Sequence, residues 1–140
     1  MSRKIVVADH APAVRYTIAF ALRMKGYEVQ EAQDGLEALS MITEAEVEGL
    51  PFDLLISEIH MPKLDGDDLI RRLQKDGFSI PSIFVTADHE PVTSRRLMKY
   101  GCLDILYKPY DIRLLVRRVD HLLGGRVLPC SPPLLQAKAS

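Results

Sequence analysis

Short apolar runs alternate along the chain with segments whose apolar residues recur every three or four positions. The runs are nearly continuous, which is typical of strands buried on both faces of a parallel sheet. Four are clear, at 5–8, 54–56, 83–85 and 103–106, and a weaker one lies around 27–31. The pattern therefore predicts five strands, all in the first 110 residues.

The segments between and after these strands predict five helices, whose ends are marked by residues that start or stop helices. Apolar side chains at 14, 18, 21 and 22 share one helical face, and those at 115, 119 and 122 share another. The start signals are Pro12, the spaced pairs Asp34 with Glu37 and Asp65 with Asp68, and Asp111. The stop signals are Gly26, Gly77 and Gly101.

The order of elements predicts an α/β fold, a (βα)5 doubly wound parallel sheet of the flavodoxin-like kind. Right-handed crossovers place helices on both faces of such a sheet. With strand order 2-1-3-4-5 the switch point lies between strands one and three, and functional sites lie at the carboxyl ends of the strands. We expect one domain over residues 1–123. Residues 124–140 contain Gly-Gly and three prolines and are interpreted as a tail or linker.

Charge and cysteine content narrow the class of protein. The 140 residues carry 18 basic and 19 acidic side chains, a net charge of −1, so no overall field favours nucleic acid or a membrane surface. The two cysteines have neither metal nor redox spacing, and the apolar stretch near the start is too short for a membrane span. We therefore expect a cytoplasmic protein with no direct nucleic-acid or membrane partner.

Polar side chains follow four of the predicted strands, at the edge where a doubly wound sheet carries its site. They combine carboxylates, a hydroxyl, an ammonium and up to three imidazoles. Each is an ordinary loop residue on its own, but together they indicate a site. The residues are Asp9 and His10 after strand one, Glu58 and His60 after strand three, Thr86, Asp88 and His89 after strand four, and Lys108 after strand five.

Several spaced motifs resemble the response-regulator receiver family over about the first 123 residues. The resemblance implies a phosphoryl transfer from a histidine kinase to an aspartate after strand three. It also implies Mg²⁺ held by two acidic residues after strand one, and a Thr or Ser and a Lys that contact the phosphoryl oxygens. The matching stretches are 5–12, 26–29, 34–39, 53–66 with Met61-Pro62 and Asp65-Gly66, 85–87 and 108–110.

By position, Thr86 and Lys108 match the two phosphoryl-contacting residues, and Asp9 matches the first acid. The family resemblance also implies a cis bond between Lys108 and Pro109, since X-Pro is where a cis bond is accessible. If Mg²⁺ is retained, its ligands would be Asp9, Glu58 and the backbone carbonyl of His60.

Three departures from the family pattern decide the mechanism. Glu58 stands at the phosphoacceptor position, His10 replaces the second acid, and Ile105 stands where the family usually has a switch aromatic residue. Glutamate moves the carboxylate by one methylene, and an error of that size can cost about 10²-fold in rate. His10 removes a hard anionic ligand, so Mg²⁺ binding is expected to be weak at best and no cofactor is expected.

The leading hypothesis is a single-domain receiver that is not an enzyme and acts by protein–protein contact without phosphorylation. Glu58 either imitates a phospho-aspartate by reaching toward Lys108 and Thr86, or marks a site that has lost its switching. The partner would be a histidine kinase or a downstream signalling protein. The predicted binding face, which could also form a homodimer, is helix four, strand five and helix five, with Arg95, Arg96, Arg113, Arg117 and Arg118.

Two alternatives stay open. Glu58 or another carboxylate such as Asp9 could still accept a phosphoryl group. The histidines His10, His60 and His89, together with Asp9 or Glu58, could bind a transition metal such as Zn²⁺ or Ni²⁺. Under the leading hypothesis we expect the Lys108 ammonium within salt-bridge distance of Glu58, in a pair that is open to water.

Overall fold

The structure is a computed structural model that describes residues 2–124. Of the predicted tail, residues 125–140 lie outside the described residues. The chain divides into two compact units, the first running to Tyr110 and the second beginning at Asp111.

The first unit is a five-stranded parallel sheet with strand order β2-β1-β3-β4-β5, connected by four helices. The predicted strand order is confirmed. Its elements are β1 Lys4–Ala8, α1 Pro12–Met24, β2 Glu28–Ala32, α2 Gly35–Val47, β3 Leu54–Ser57, α3 Gly66–Lys75, β4 Ser82–Thr86, α4 Pro91–Lys99 and β5 Asp104–Tyr107. The described part of the second unit contains α5, Ile112–Leu122.

The three central strands explain the continuous apolar runs of the sequence. Every residue of β3 and β4 is buried, and so is every residue of β1 after Lys4. A core cluster joins Val6, Leu55 and Phe84 of these strands to Ile42 of α2 and Leu69 of α3. Because both sheet faces are covered there, polar side chains are confined to the strand ends.

Most of the predicted helix ends are found. Asp34 accepts a hydrogen bond from the Glu37 backbone N–H at 2.8 Å, and Asp111 accepts one from Arg113 at 2.9 Å. The three predicted stop glycines all have positive φ, between 87° and 97°.

One capping prediction is wrong. Asp65 stands at the N-cap position of α3, but its side chain makes no cap hydrogen bond. Its Oδ1 instead accepts from the Met61 backbone N–H at 3.1 Å, which closes the β3–α3 loop. The Asp68 backbone N–H donates a hydrogen bond to Asp67 Oδ1 at 3.0 Å instead, so the expected capping interaction between Asp65 and Asp68 does not form.

In residues 2–124, no helix combines the length and the apolar character needed to cross a membrane.

Candidate functional site

The register of the sheet brings the predicted polar residues to one edge. Ala8 pairs with Ser57, so Asp9 and Glu58 leave neighbouring strands at the same level. The ladders continue one residue beyond the strands, since Glu58 N donates to Ala8 O at 3.0 Å and Lys108 N donates to Thr86 O at 2.8 Å. Backbone pairing alone therefore places four side chains at the same edge of the sheet: Asp9, Glu58, Thr86 and Lys108.

Lys108 lies between the two carboxylates. Its Nζ is 2.7 Å from Glu58 Oε1 and 3.6 Å from Asp9 Oδ2. Burial alone would lower the pKa of Lys108, but the hydrogen bond to Glu58 and the charge of Asp9 outweigh it, so the pKa is raised. The ammonium therefore remains charged and neutralises one of two adjacent negative charges.

The expectation that this pair is open to water is wrong. The side chains of Lys108, Glu58 and Asp9 are exposed to only 25%, 12% and 6%. The other carboxylate oxygen of Asp9, Oδ1, accepts a hydrogen bond from the Ala11 backbone N–H at 2.9 Å, which keeps this carboxylate against the start of α1. The pair therefore lies between an exposed and a fully buried ion pair in energy.

The second oxygen of Glu58 is held by its own loop. Oε2 accepts from the Ile59 backbone N–H at 2.7 Å and, at a longer 3.4 Å, from that of His60. This loop needs a glycine at Gly66, because a Cβ there would lie 2.6 Å from the Glu58 carbonyl oxygen and 2.5 Å from the Phe84 ring. Both oxygens of the Glu58 carboxylate are thus engaged.

Sequence reasoning missed three residues that support the site. Arg15 on α1 donates to the Asp9 carbonyl oxygen at 2.9 Å and pairs with Glu31 of β2 at 3.1 Å. The Ser57 hydroxyl donates to the Glu58 carbonyl oxygen at 2.7 Å. Burial, together with the charge of Asp9, raises the pKa of Tyr110 to about 12. The only advance signal was their closeness in sequence to the strand ends.

Thr86 is fully buried at the end of β4, and its hydroxyl oxygen accepts from the Asp88 backbone N–H at 3.0 Å. Among the hydrogen bonds of the described residues, none joins Thr86 to Glu58. Glu58 is therefore hydrogen-bonded to Lys108 but not to Thr86.

The structure does not bring the three histidines together. His60 Nε2 is 2.7 Å from Asp88 Oδ2, His89 stacks on Tyr107 at 4.7 Å between ring centroids, and His10 is exposed. Within residues 2–124, the only group of three or more potential ligand side chains within 4.8 Å of one another is Asp65, Asp67 and Asp68. The described residues therefore do not form the transition-metal site that the histidines suggested.

Two further predicted positions lie on or beside β5. Ile105 is half-buried and packs against the core cluster, as expected for a β-branched strand residue. The Lys108–Pro109 peptide bond is cis.

Two of the five arginines predicted to bind a partner form ion pairs within the chain. Arg96 of α4 donates to Asp67 of α3 at 2.9 Å, and Arg113 pairs with Asp111 at 2.9 Å, while Arg95 is exposed. The Arg96–Asp67 pair anchors α4 to α3 and leaves Arg96 less available to a partner.

A parallel 2-1-3-4-5 sheet with carboxylates, a threonine and a lysine at the carboxyl ends of its strands defines a receiver-type signalling module. The chain belongs to the response regulator receiver domain family, whose pattern matches residues 5–120. It is therefore a receiver domain of two-component signalling.

Comparison with individual proteins agrees. The chain is 36% identical over 124 residues to the response regulator MprA of Mycobacterium bovis, covering 88% of this chain and 51% of MprA. It is 33% identical over 122 residues to the sensor kinase CckA of Brucella abortus, covering 87% of this chain and 13% of the kinase. The receiver domain of the Francisella response regulator 1452 superposes with a TM-score of 0.77 at 28% identity, covering 88% of this chain and 98% of that one.

The chain thus spans about half the length of the MprA protein that it matches.

We predict that NMR will show His60 titrating above its ordinary pKa of 6.5, because the hydrogen bond to Asp88 raises the His60 pKa more than burial lowers it. A raised folded pKa means that the bridge stabilises the fold below 6.5 and that this contribution is lost as pH rises through the folded value. The pKa of Asp88 is lowered, chiefly by His60, so its contribution is lost as pH falls below 3.8 toward the folded value. In Asp88→Asn the His60 value should fall; an unchanged value would contradict the bridge.

We predict that Lys108→Met lowers the free energy of unfolding by about 1–3 kcal/mol, because it leaves two adjacent carboxylates without a counter-charge. Glu58→Gln should cost less, since Asp9 remains as a partner for Lys108. The double variant should cost less than the sum of the single variants in urea unfolding, because both remove one contact. The matched control is Lys99→Met on the exposed side of α4, expected within about 0.5 kcal/mol of the parent. An equally small effect for Lys108→Met would refute the prediction.

Proposed function

We propose that this chain is a receiver module of two-component signalling that acts through protein–protein contacts and does not depend on phosphorylation. One contact carries this proposal, the 2.7 Å bond between Glu58 Oε1 and Lys108 Nζ. It joins the end of β3 to the end of β5 with side chains alone, where the family resemblance implies a phosphoryl group on an aspartate.

The chemistry at Glu58 argues against an efficient phosphoacceptor. A nucleophilic carboxylate has to stand in line with the donor phosphorus and free to attack. Glu58 carries one methylene more than aspartate, and both of its oxygens already accept hydrogen bonds, from Lys108 and from the β3–α3 loop. Misplacement by about 1 Å alone can cost about 10²-fold in rate.

The donor set also fits Mg²⁺ poorly, and we propose that the function does not require it. Mg²⁺ prefers near-octahedral oxygen ligands that include carboxylates. Here Asp9 and Glu58 share one ammonium, and the second acid is replaced by the exposed His10. Counting Asp9, Glu58 and Lys108 leaves a formal charge of −1, where the family set of three carboxylates and one lysine carries −2.

The likeness of Glu58 to a phosphorylated aspartate extends to Lys108 only. Thr86 keeps its hydroxyl on the Asp88 N–H, and Ile105 has no ring to turn inward. A carboxylate also offers two acceptor oxygens and about half the charge of a phosphoryl group. We therefore propose a fixed state in which Lys108 is drawn to the β3 end without a full phosphoryl-like rearrangement.

The proposed partner is another signalling protein, either a histidine kinase or a downstream protein. In the first unit, α4 and the approach to β5 expose apolar side chains, with Met98 exposed to 56% and Leu103 to 48%, near the exposed Arg95. Apolar residues beside an arginine suit a protein partner. A second copy of the chain is the other occupant that the same surface could take.

We predict that the chain incorporates no phosphate from acetyl phosphate with Mg²⁺ under conditions that label ordinary receivers. Glu58→Asp should restore labelling poorly, and Glu58→Asp with His10→Asp should restore it more than additively, because nucleophile and metal act as a unit. Intact mass spectrometry measures the adduct. A stoichiometric, hydroxylamine-sensitive phosphate on the unaltered chain would refute the proposal and favour the alternative of a phosphoacceptor at Glu58 or Asp9.

We predict that Glu58 holds the Lys108 region in the arrangement that phosphorylation produces. The reference is the Glu58→Asp, His10→Asp variant, compared by NMR before and after acetyl phosphate. Backbone shifts of 104–110 in the unaltered chain should match the phosphorylated variant, whereas those of 86–90 should match the unphosphorylated one, because Thr86 is not engaged by Glu58. His10→Asp alone is the control for the added charge. A match to the unphosphorylated variant in both regions would show a site that has lost its switching.

A further inference from the structure

Asp88 organises the loop between β4 and α4. Its backbone N–H donates to the Thr86 hydroxyl at 3.0 Å, its Oδ1 accepts from the Glu90 N–H at 2.8 Å, and its Oδ2 accepts from the Thr93 hydroxyl at 3.3 Å. Asp88 thus contacts the end of β4 through its backbone, and the middle of the loop and the first turn of α4 through its side chain. Only 14% of the Asp88 side chain is exposed.

The Asp88 side chain contacts the start of α4 from outside the helix. Glu90 occupies the N-cap position of α4 but makes no side-chain cap hydrogen bond. The first amides of a helix have no partner within the helix and need one from outside. In the described part of the chain, Asp88 accepts from none of these helical amides; it holds the N-cap residue Glu90 through its backbone N–H and the buried Thr93 through its hydroxyl.

His60 connects this loop to the neighbouring one. It lies two residues after Glu58 in the β3–α3 loop, and its Nε2 is 2.7 Å from Asp88 Oδ2. In the family, the resemblance implies that a phosphoryl group links the ends of β3 and β4 through the threonine. Here His60 and Asp88 link the two loops through their side chains instead.

We propose that His60 and Asp88 form a strap that fixes the β4–α4 loop, the Thr86 hydroxyl and the start of α4 without a phosphoryl group. The strap turns the Thr86 hydroxyl toward Asp88 rather than toward the β3 end. The Glu58 carboxylate makes no contact with Asp88 among the described hydrogen bonds, so the strap is a separate proposal from the role proposed for Glu58.

Amide hydrogen exchange of the full chain at one fixed pH tests the strap. His60→Ala should speed exchange at Asp88, Glu90 and Ser94 by about three- to fivefold, a modest effect because His60 is exposed to 61% and water weakens the pair. Core amides of β1 and β3 should be unchanged. The matched control is His10→Ala, the exposed histidine of the β1–α1 loop, which should leave the same amides within twofold.

Two further variants separate the strap from other causes. Asp88→Ala should open the loop more than His60→Ala, because it also removes the Glu90 and Thr93 contacts, and adding His60→Ala to it should change nothing further. Glu58→Gln should leave the loop protected, so failure of the role proposed for Glu58 would not look like failure of the strap. Unchanged exchange in His60→Ala, or additive effects in the double variant, would overturn the proposal.

Discussion

The arrangement of the site at the carboxyl ends of the strands depends on the contacts of the Lys108 ammonium with Glu58 and Asp9. A sheet that is buried on both faces has only its strand ends for polar groups, and here adjacent strands deliver Asp9 and Glu58 to the same level. Two carboxylates exposed to 6% and 12% would repel each other across a partly desolvated edge. Lys108 relieves that repulsion from the far side of β4, so β1, β3 and β5 depend on one charge.

The elements could be predicted because their signals are local and agree with one another. The continuous apolar runs predict β3 and β4 to within one residue at each end, and Gly26 and Asp34 mark helix ends that the structure has. The site followed from topology, because carboxyl ends of parallel strands meet at one edge. The Lys108–Glu58 contact needed nothing more than complementary charge at that edge.

The hydrogen-bond partners of the loop side chains could not be predicted from the sequence. Asp65 has the spacing of a helix cap, yet its side chain accepts a hydrogen bond from the Met61 backbone N–H within the same loop. His60 pairs with Asp88, which lies 28 residues away in the sequence. Neither choice has a periodic signal, since each depends on loop paths that only the folded backbone defines. The burial of the Glu58–Lys108 pair could not be predicted for the same reason, because solvent access at a strand end is set by the loops above it.

Two side-chain links therefore join strand ends that a receiver of the family pattern joins through a phosphoryl group: Glu58–Lys108 connects β3 to β5, and His60–Asp88 connects the β3 and β4 loops. A phosphoryl group has to be added and removed, whereas these links are formed by side chains of the chain itself. A ligand moves an equilibrium only by its differential affinity for two states. A partner that switched this domain by breaking one of these links would therefore have to bind the broken state better, and this difference in binding free energy would have to exceed the free energy of the link.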